Sequence, residues 1–304
     1  MNFLKNLLRF SRVHTIIGTS LSIVTLWLIA LAVNRNGAVS DWLLPELFWT
    51  LISCLGANIF IVGLNQLTDI EIDRINKPYL PLASGAWSVP TGWTVVLVSV
   101  GISLLVALWR GNYLLYTVLL SLLLGTLYSL PPVRLKRFPF WAAFCILAVR
   151  GLIINLLLYL HFHYLLSGNS TVPTVVWVLT TAMFGYSIII AFFKDMPDLE
   201  GDRRYGIQTF SLRLGLKRIH QIGSVLIAAI YVLLIFLPFF IEMEGNAWIF
   251  SAAHTILLGL LLWGNHRLDL SDKESIRFYY QIVWGLFFLE YISVAVAVWG
   301  DVLI

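Results

Sequence analysis

The chain has 304 residues, 59% of them hydrophobic and only 12% charged, roughly half the charge of an ordinary soluble domain. That composition excludes a water-soluble globular enzyme. The formal net charge of +4 is small and falls on one side of the pattern described below, which excludes nucleic acid as a partner.

Residues 1–12 form a short basic amphipathic stretch with no cleavable signal pattern. It runs directly into the first of nine apolar runs, which predict membrane-spanning helices over 13–33, 46–65, 91–109, 112–130, 140–163, 173–193, 218–240, 246–264 and 278–300. The expected fold is all-α: a polytopic membrane protein with one transmembrane domain over residues 1–304, in contact with lipid. Cys54 and Cys145 lie in apolar runs and read as small buried residues.

An odd number of spans puts the termini on opposite sides. Of the 20 lysines and arginines, all but Arg35, Arg110 and Arg150 fall on the side of the N-terminus. The positive-inside rule makes that side cytoplasmic and puts Ile304 opposite.

Two acidic clusters lie at the cytoplasmic ends of spans two and six. In the first, Asn65, Asp69 and Asp73 are spaced by four, one stripe if the helix continues; Glu71 falls off it. In the second, Asp195, Asp198 and Asp202 are spaced three then four, and Pro197 and Gly201 signal a helix that ends or distorts there. Either cluster alone reads as a solvated helix end. Two on one membrane face point to hard divalent cations, and Mg²⁺ takes one or two carboxylates, keeps waters and bridges to phosphates. The basic residues beside them suit a diphosphate: Lys77, Lys194, and the segment holding Tyr128, Arg134, Lys136 and Arg137.

Inside span five stand Arg150 and Asn155, five residues apart. An ionisable residue at that depth marks function by default. Arg12 and His14 sit at the cytoplasmic start of span one. Asn58 reads as packing, His161 and His163 as interfacial, and Glu290 carries no assigned role.

At these residues the chain resembles the UbiA superfamily of intramembrane aromatic prenyltransferases. The resemblance is carried by Asn65-x-x-x-Asp69-x-x-x-Asp73, Asp73-Arg-Ile-Asn76-Lys77-Pro78, Tyr128-Ser-x-Pro-Pro-Val-Arg134-Leu-Lys136-Arg137, Val149-Arg150-Gly151 with Asn155, Lys194-Asp195-x-Pro-Asp198-x-Glu-Gly-Asp202, and Arg12-Val-His14-Thr-Ile-Ile-Gly18-Thr19. It covers nearly the whole chain and is most similar to the homogentisate-prenylating branch of tocopherol (vitamin E) synthesis. Val13 departs from the expected Pro, and Leu157 from the expected Gly.

The resemblance implies Mg²⁺ held by Asn65, Asp69, Asp73, Asp195, Asp198 and Asp202. It implies a prenyl diphosphate as donor, an aromatic acid as acceptor, and a cyanobacterial-type membrane. Arg12, His14, Arg150 and Asn155 are the expected acceptor-binding residues. A phytyl donor is expected, with a solanesyl donor as the alternative. A chlorophyll synthase would carry Asn-Glu-Pro where this chain has Asn76-Lys77-Pro78. A cation-coupled transporter would place its charges at the midplane of inverted repeats, whereas both clusters here share one face.

Overall fold

The computed structural model describes residues 3–34, 43–205 and 208–303. Arg35, counted on the far side above, lies outside them. Among the described residues there is no strand, and nine helices are long and apolar enough to cross a membrane.

A short helix α1 (Phe3–Phe10) precedes α2 (Val13–Val33). Then come α3 (Leu43–Thr68), α4 (Ile70–Asn76), α5 (Val89–Arg110) and α6 (Asn112–Ser129). Span five is composite: α7 (Pro139–Ile146), a π-helical segment Leu147–Ile153, and α8 (Ile154–Ser167). The chain continues with α9 (Thr174–Phe193), the short α10 (Leu199–Arg204) and α11 (Phe210–Leu214), and the spans α12 (Leu216–Phe236), α13 (Ala247–Arg267) and α14 (Lys273–Leu303).

Helix starts follow sequence signals. Ser88 caps α5, its Oγ accepting from Thr91 N–H, with Pro in the first turn. Asn246 caps α13, accepting from Trp248 and Ile249 N–H at 3.1 Å. Gly168, at φ 71°, closes α8 in the left-handed conformation that glycine adopts without cost.

The spans close into a ring, with α14 packed against α2 and α3 against α5. Of the nine long apolar helices α9 is the most buried and α5 the most exposed. Small residues allow the closest approaches. A Cβ on Gly56 of α3 would meet the Ser99 carbonyl of α5 at 2.8 Å.

Polar groups within the bundle find one another, as an environment without water requires. Glu46, fully buried, accepts from Arg110 Nε at 2.8 Å and pairs with His161 Nε2 at 2.8 Å. His163 bonds Asn34, Asn169 and Thr171. Both histidines are therefore buried and do not snorkel: α3 supplies the partners of His161, and the end of α2 and the loop after α8 supply those of His163. Glu290 pairs with His254 at 3.1 Å, again fully buried.

Candidate active site

The two acidic clusters meet at one end of the bundle, where α4 packs against α10. Neither is an uninterrupted helical stripe. Helix α3 ends at Thr68, and Asp69 (φ −123°, ψ 20°) breaks the helix before α4 begins. The i,i+4 relation survives the break: Asn65 Nδ2 donates to Asp69 Oδ2 at 3.1 Å, and Asp73 N–H donates to Asp69 O at 2.8 Å. In the second cluster Asp195 and Asp198 occupy turns after α9, and Asp202 lies in α10.

Cations bind the acids together. Asp69 takes Arg134 Nη2 at 2.8 Å and Lys136 Nζ at 2.7 Å. Lys194 pairs with Asp195 at 2.5 Å. Lys77, from the first segment, pairs with Asp198 of the second.

Electrostatics separates the remaining carboxyls. Burial pushes Asp73 up to about 6, against the opposing pull of Arg12 and Lys77. Burial, reinforced by Asp195 and Asp198, pushes Asp202 up to about 7. Asp195 is also raised, chiefly by burial. Burial lowers Lys136 to about 8 despite Asp69. Burial disfavours charge on Lys77 most strongly of any single cause, but Asp198 and Asp73 together leave its net shift upward.

Asp73 Oδ2 is buried without a hydrogen-bond partner, a carboxylate oxygen left for a ligand from outside the chain. Among the described residues no three acidic, cysteine or histidine side chains converge on one point. An ion here would take few protein ligands and fill its shell from water and phosphate, the habit of Mg²⁺. The donor set fits that ion.

Both clusters line a mouth of about 780 Å³ that also carries six lysines and arginines among apolar walls. A second, mostly apolar cavity of about 230 Å³ runs inward between α3, α6 and α8, lined by Cys54, Ala57, Ile61, Val118 and Leu158. Arg12, His14, Asn65, Tyr128, Lys194, Tyr280 and Trp284 line both and form the neck. His14 and Trp284 have ring centroids 4.8 Å apart. Arg150, in the inner cavity, lies over the Trp284 ring at 4.9 Å. Only Arg12 (φ 52°) and Arg134 (φ 40°) take positive φ among the described non-glycine residues, a costly conformation that concentrates at functional sites.

Most of the sequence-derived candidates converge here. Asn65, Asp69, Asp73, Asp195, Asp198, Asp202, Lys77, Lys136, Tyr128, Lys194, Arg12 and His14 line the mouth, and Arg150 the inner cavity. Three do not. Asn155 is fully buried and lines neither cavity, because its amide is consumed by backbone carbonyls and Tyr291. Arg137 is exposed and lines neither. Arg134 also lines neither; its guanidinium is turned onto Asp69 and the Thr68 carbonyl. Asn58 does line the inner cavity, its Nδ2 donating to Thr15 Oγ1 at 3.0 Å. Tyr280 and Trp284 escaped sequence reasoning. Their signal was an aromatic pair spaced by four near the start of the last span, at the end of the bundle that carries the acids.

Similarity to known proteins runs along almost the whole chain. The chain is 44% identical over 292 residues (96% of this chain, 94% of the relative) to a homogentisate phytyltransferase of Synechocystis sp.. It is 40% identical to homogentisate phytyltransferase 1 of Arabidopsis thaliana, covering 93% of this chain and 73% of that one. Homogentisate solanesyltransferase of the same plant is 36% identical, covering 93% and 74%. Among solved structures, a UbiA homolog from Archaeoglobus fulgidus bound to GPP and Mg²⁺ superposes with a TM-score of 0.64 at 19% identity, covering 95% of this chain and 99% of that one. The sequence profile of the UbiA prenyltransferase family matches residues 21–290, and the chain belongs to that family.

Proposed function

We propose that this chain transfers a phytyl group from phytyl diphosphate to homogentisate, with loss of carbon dioxide and diphosphate, in the membrane. One observation carries the reading: a mouth lined by two carboxylate clusters opens through a cationic neck into an apolar cavity. A prenyl diphosphate has the same division, a charged head and an apolar tail. The relatives named homogentisate phytyltransferase supply the acceptor and the donor.

Asn65, Asp69, Asp73, Asp195, Asp198 and Asp202 would hold Mg²⁺, which supplies charge compensation for the departing diphosphate. Lys77, Lys136 and Lys194 face the same mouth as donors to phosphate oxygens. As the allylic C–O bond breaks, diphosphate keeps the electron pair. The apolar walls and the π faces at the neck shelter the allylic cation from water. The homogentisate ring forms the new C–C bond and loses a ring proton. The side-chain carboxyl leaves as carbon dioxide, and its methylene takes up a proton to become methyl, so the proton count balances. Arg12, His14 and Arg150 line the neck and inner cavity, where the acceptor must meet the allylic carbon. The active mouth lies on the cytoplasmic side of a cyanobacterial-type membrane, the side that carries the basic loops.

Purified protein with Mg²⁺, phytyl diphosphate and carboxyl-labelled homogentisate tests this. Labelled carbon dioxide and diphosphate should appear together, and only when both substrates are present. Diphosphate release without carbon dioxide would contradict decarboxylative transfer to homogentisate.

A further inference from the structure

Arg150 owes its aim to a departure from α-helical geometry. Residues Leu147–Ile153 form a π-helical segment within span five. A regular α-helix through the same residues, lacking the extra residue of the wide turn, would rotate one flank against the other by about 100°. The segment is held from two directions. Asn155 Nδ2 donates to the Arg150 and Gly151 carbonyls, each at 2.9 Å. Asn155 Oδ1 accepts from Tyr291 Oη at 2.7 Å. On the other flank, a Cβ at Gly151 would meet Phe184 Cα at 2.8 Å, so this position must stay glycine for the turn to lie against α9.

Tyr291 and Trp284 belong to the same helix, α14, about two turns apart. Trp284 carries the Arg150 guanidinium on its ring, and Tyr291 fixes the Arg150 backbone through Asn155. Neither Tyr291 nor Asn155 lines either cavity. Arg150 lines the inner cavity only, away from the acidic mouth. Among the described residues no carboxylate pairs with it; its electrostatic neighbours are the tyrosines at 280 and 291. A half-buried guanidinium without a carboxylate partner among the described residues, facing a cavity, suits a planar carboxylate from outside the chain.

We propose that Tyr291 and Asn155 are positioning residues for the acceptor. They lock the π-helical turn so that Arg150 meets the carboxylate of the aromatic acid. The inference rests on the reading above that Arg150 receives the acceptor.

Steady-state kinetics of Tyr291→Phe, Asn155→Ala and Arg150→Ala tests it, with homogentisate and phytyl diphosphate varied separately. Tyr291→Phe keeps the ring and its packing, so it stands even if Asn155→Ala does not fold. Loss of the Tyr291 hydroxyl should raise the KM for homogentisate about tenfold, the worth of one buried hydrogen bond. The KM for phytyl diphosphate should not change. Tyr291→Phe should also narrow the preference for homogentisate over its uncharged amide as competing ligands. In an Arg150→Ala background it should add no further effect. Equal rises in both KM values, or an unchanged homogentisate KM in Tyr291→Phe while Arg150→Ala raises it, would overturn the positioning role alone. An unchanged homogentisate KM in Arg150→Ala would overturn the acceptor reading beneath it, and the positioning role with it.

Discussion

Lys77 and Asp198 form an ion pair across the charged mouth, joining the segment after α3 to the segment after α9. Their sequence neighbours are opposite acidic clusters, so this pair fixes the clusters against each other. Lys77 is thereby held among carboxylates at the place a diphosphate would enter. Lys77→Ala should raise the KM for the prenyl diphosphate about tenfold, as expected for loss of one charge-assisted contact, and leave the KM for homogentisate unchanged. Separate titration of the two substrates checks this. A change confined to homogentisate would place Lys77 on the acceptor instead.

The inner cavity sets the donor. Of Leu156, Leu157 and Leu158, which the sequence marks as bulky beside Asn155, only Leu158 lines it, at 1% exposure. The metal-facing end of a prenyl diphosphate is the same for every tail, so selection falls to the apolar walls. Each buried CH₂ is worth about 0.8 kcal/mol where room exists, and a wall reverses that gain by clash. Phytyl diphosphate should outcompete solanesyl diphosphate at equal concentration, and Leu158→Ala should shift product toward the longer tail. That change costs about 2–5 kcal/mol of packing, so retained phytyl turnover must be measured beside it. A dominant solanesyl product in the parent chain would move it to the plastoquinone branch.

Much of this was legible in the sequence, and the reasons differ by element. Nine apolar runs are long-range statistical signals, and each was located to within a few residues of its helix. The acidic clusters were legible as spacings, because i,i+4 relations survive even the helix break at Asp69. The π-helical turn at Leu147–Ile153 was not legible. Its cause is tertiary: Asn155 is bound to a tyrosine 136 residues away. For that reason Asn155 passed for a ligand-facing residue, and Tyr291 passed unnoticed. Arg134 and Arg137 show the same limit, since a basic loop does not declare which of its side chains turns inward.

Metal binding should depend on pH with a definite sign. Asp73 and Asp202 sit at about 6 and about 7, above their ordinary 3.8. An acid raised on folding takes up protons between its two values. The metal-free chain therefore loses stability as pH rises from about 4 toward 7 and levels off above. Mg²⁺ requires the deprotonated carboxylates, so its affinity should grow through the interval between about 6 and 7. Thermal unfolding in detergent, with and without Mg²⁺, should show a larger metal-induced gain near pH 8 than near pH 5.5. An equal or larger gain at the lower pH would contradict this assignment of the two acids.

Orientation follows from the basic residues, which gather on the side of Arg137. Single cysteines introduced beside Arg137 and at Asp301 should label from opposite sides of sealed vesicles, with the Arg137 side cytoplasmic. Labelling of both from one side would refute the span count that places the two clusters on a common face.

If the two carboxylate clusters act as one diphosphate site, Asp69→Asn and Asp195→Asn should each disable it. Each substitution removes one charge from a different cluster while keeping the side chain's size. Turnover of phytyl diphosphate with homogentisate should fall at least a hundredfold in each, roughly the cost of losing one preorganised charge-stabilising group. Unfolding temperature in detergent should show that both variants remain folded. Near-parental turnover in either folded variant would contradict the two-cluster site.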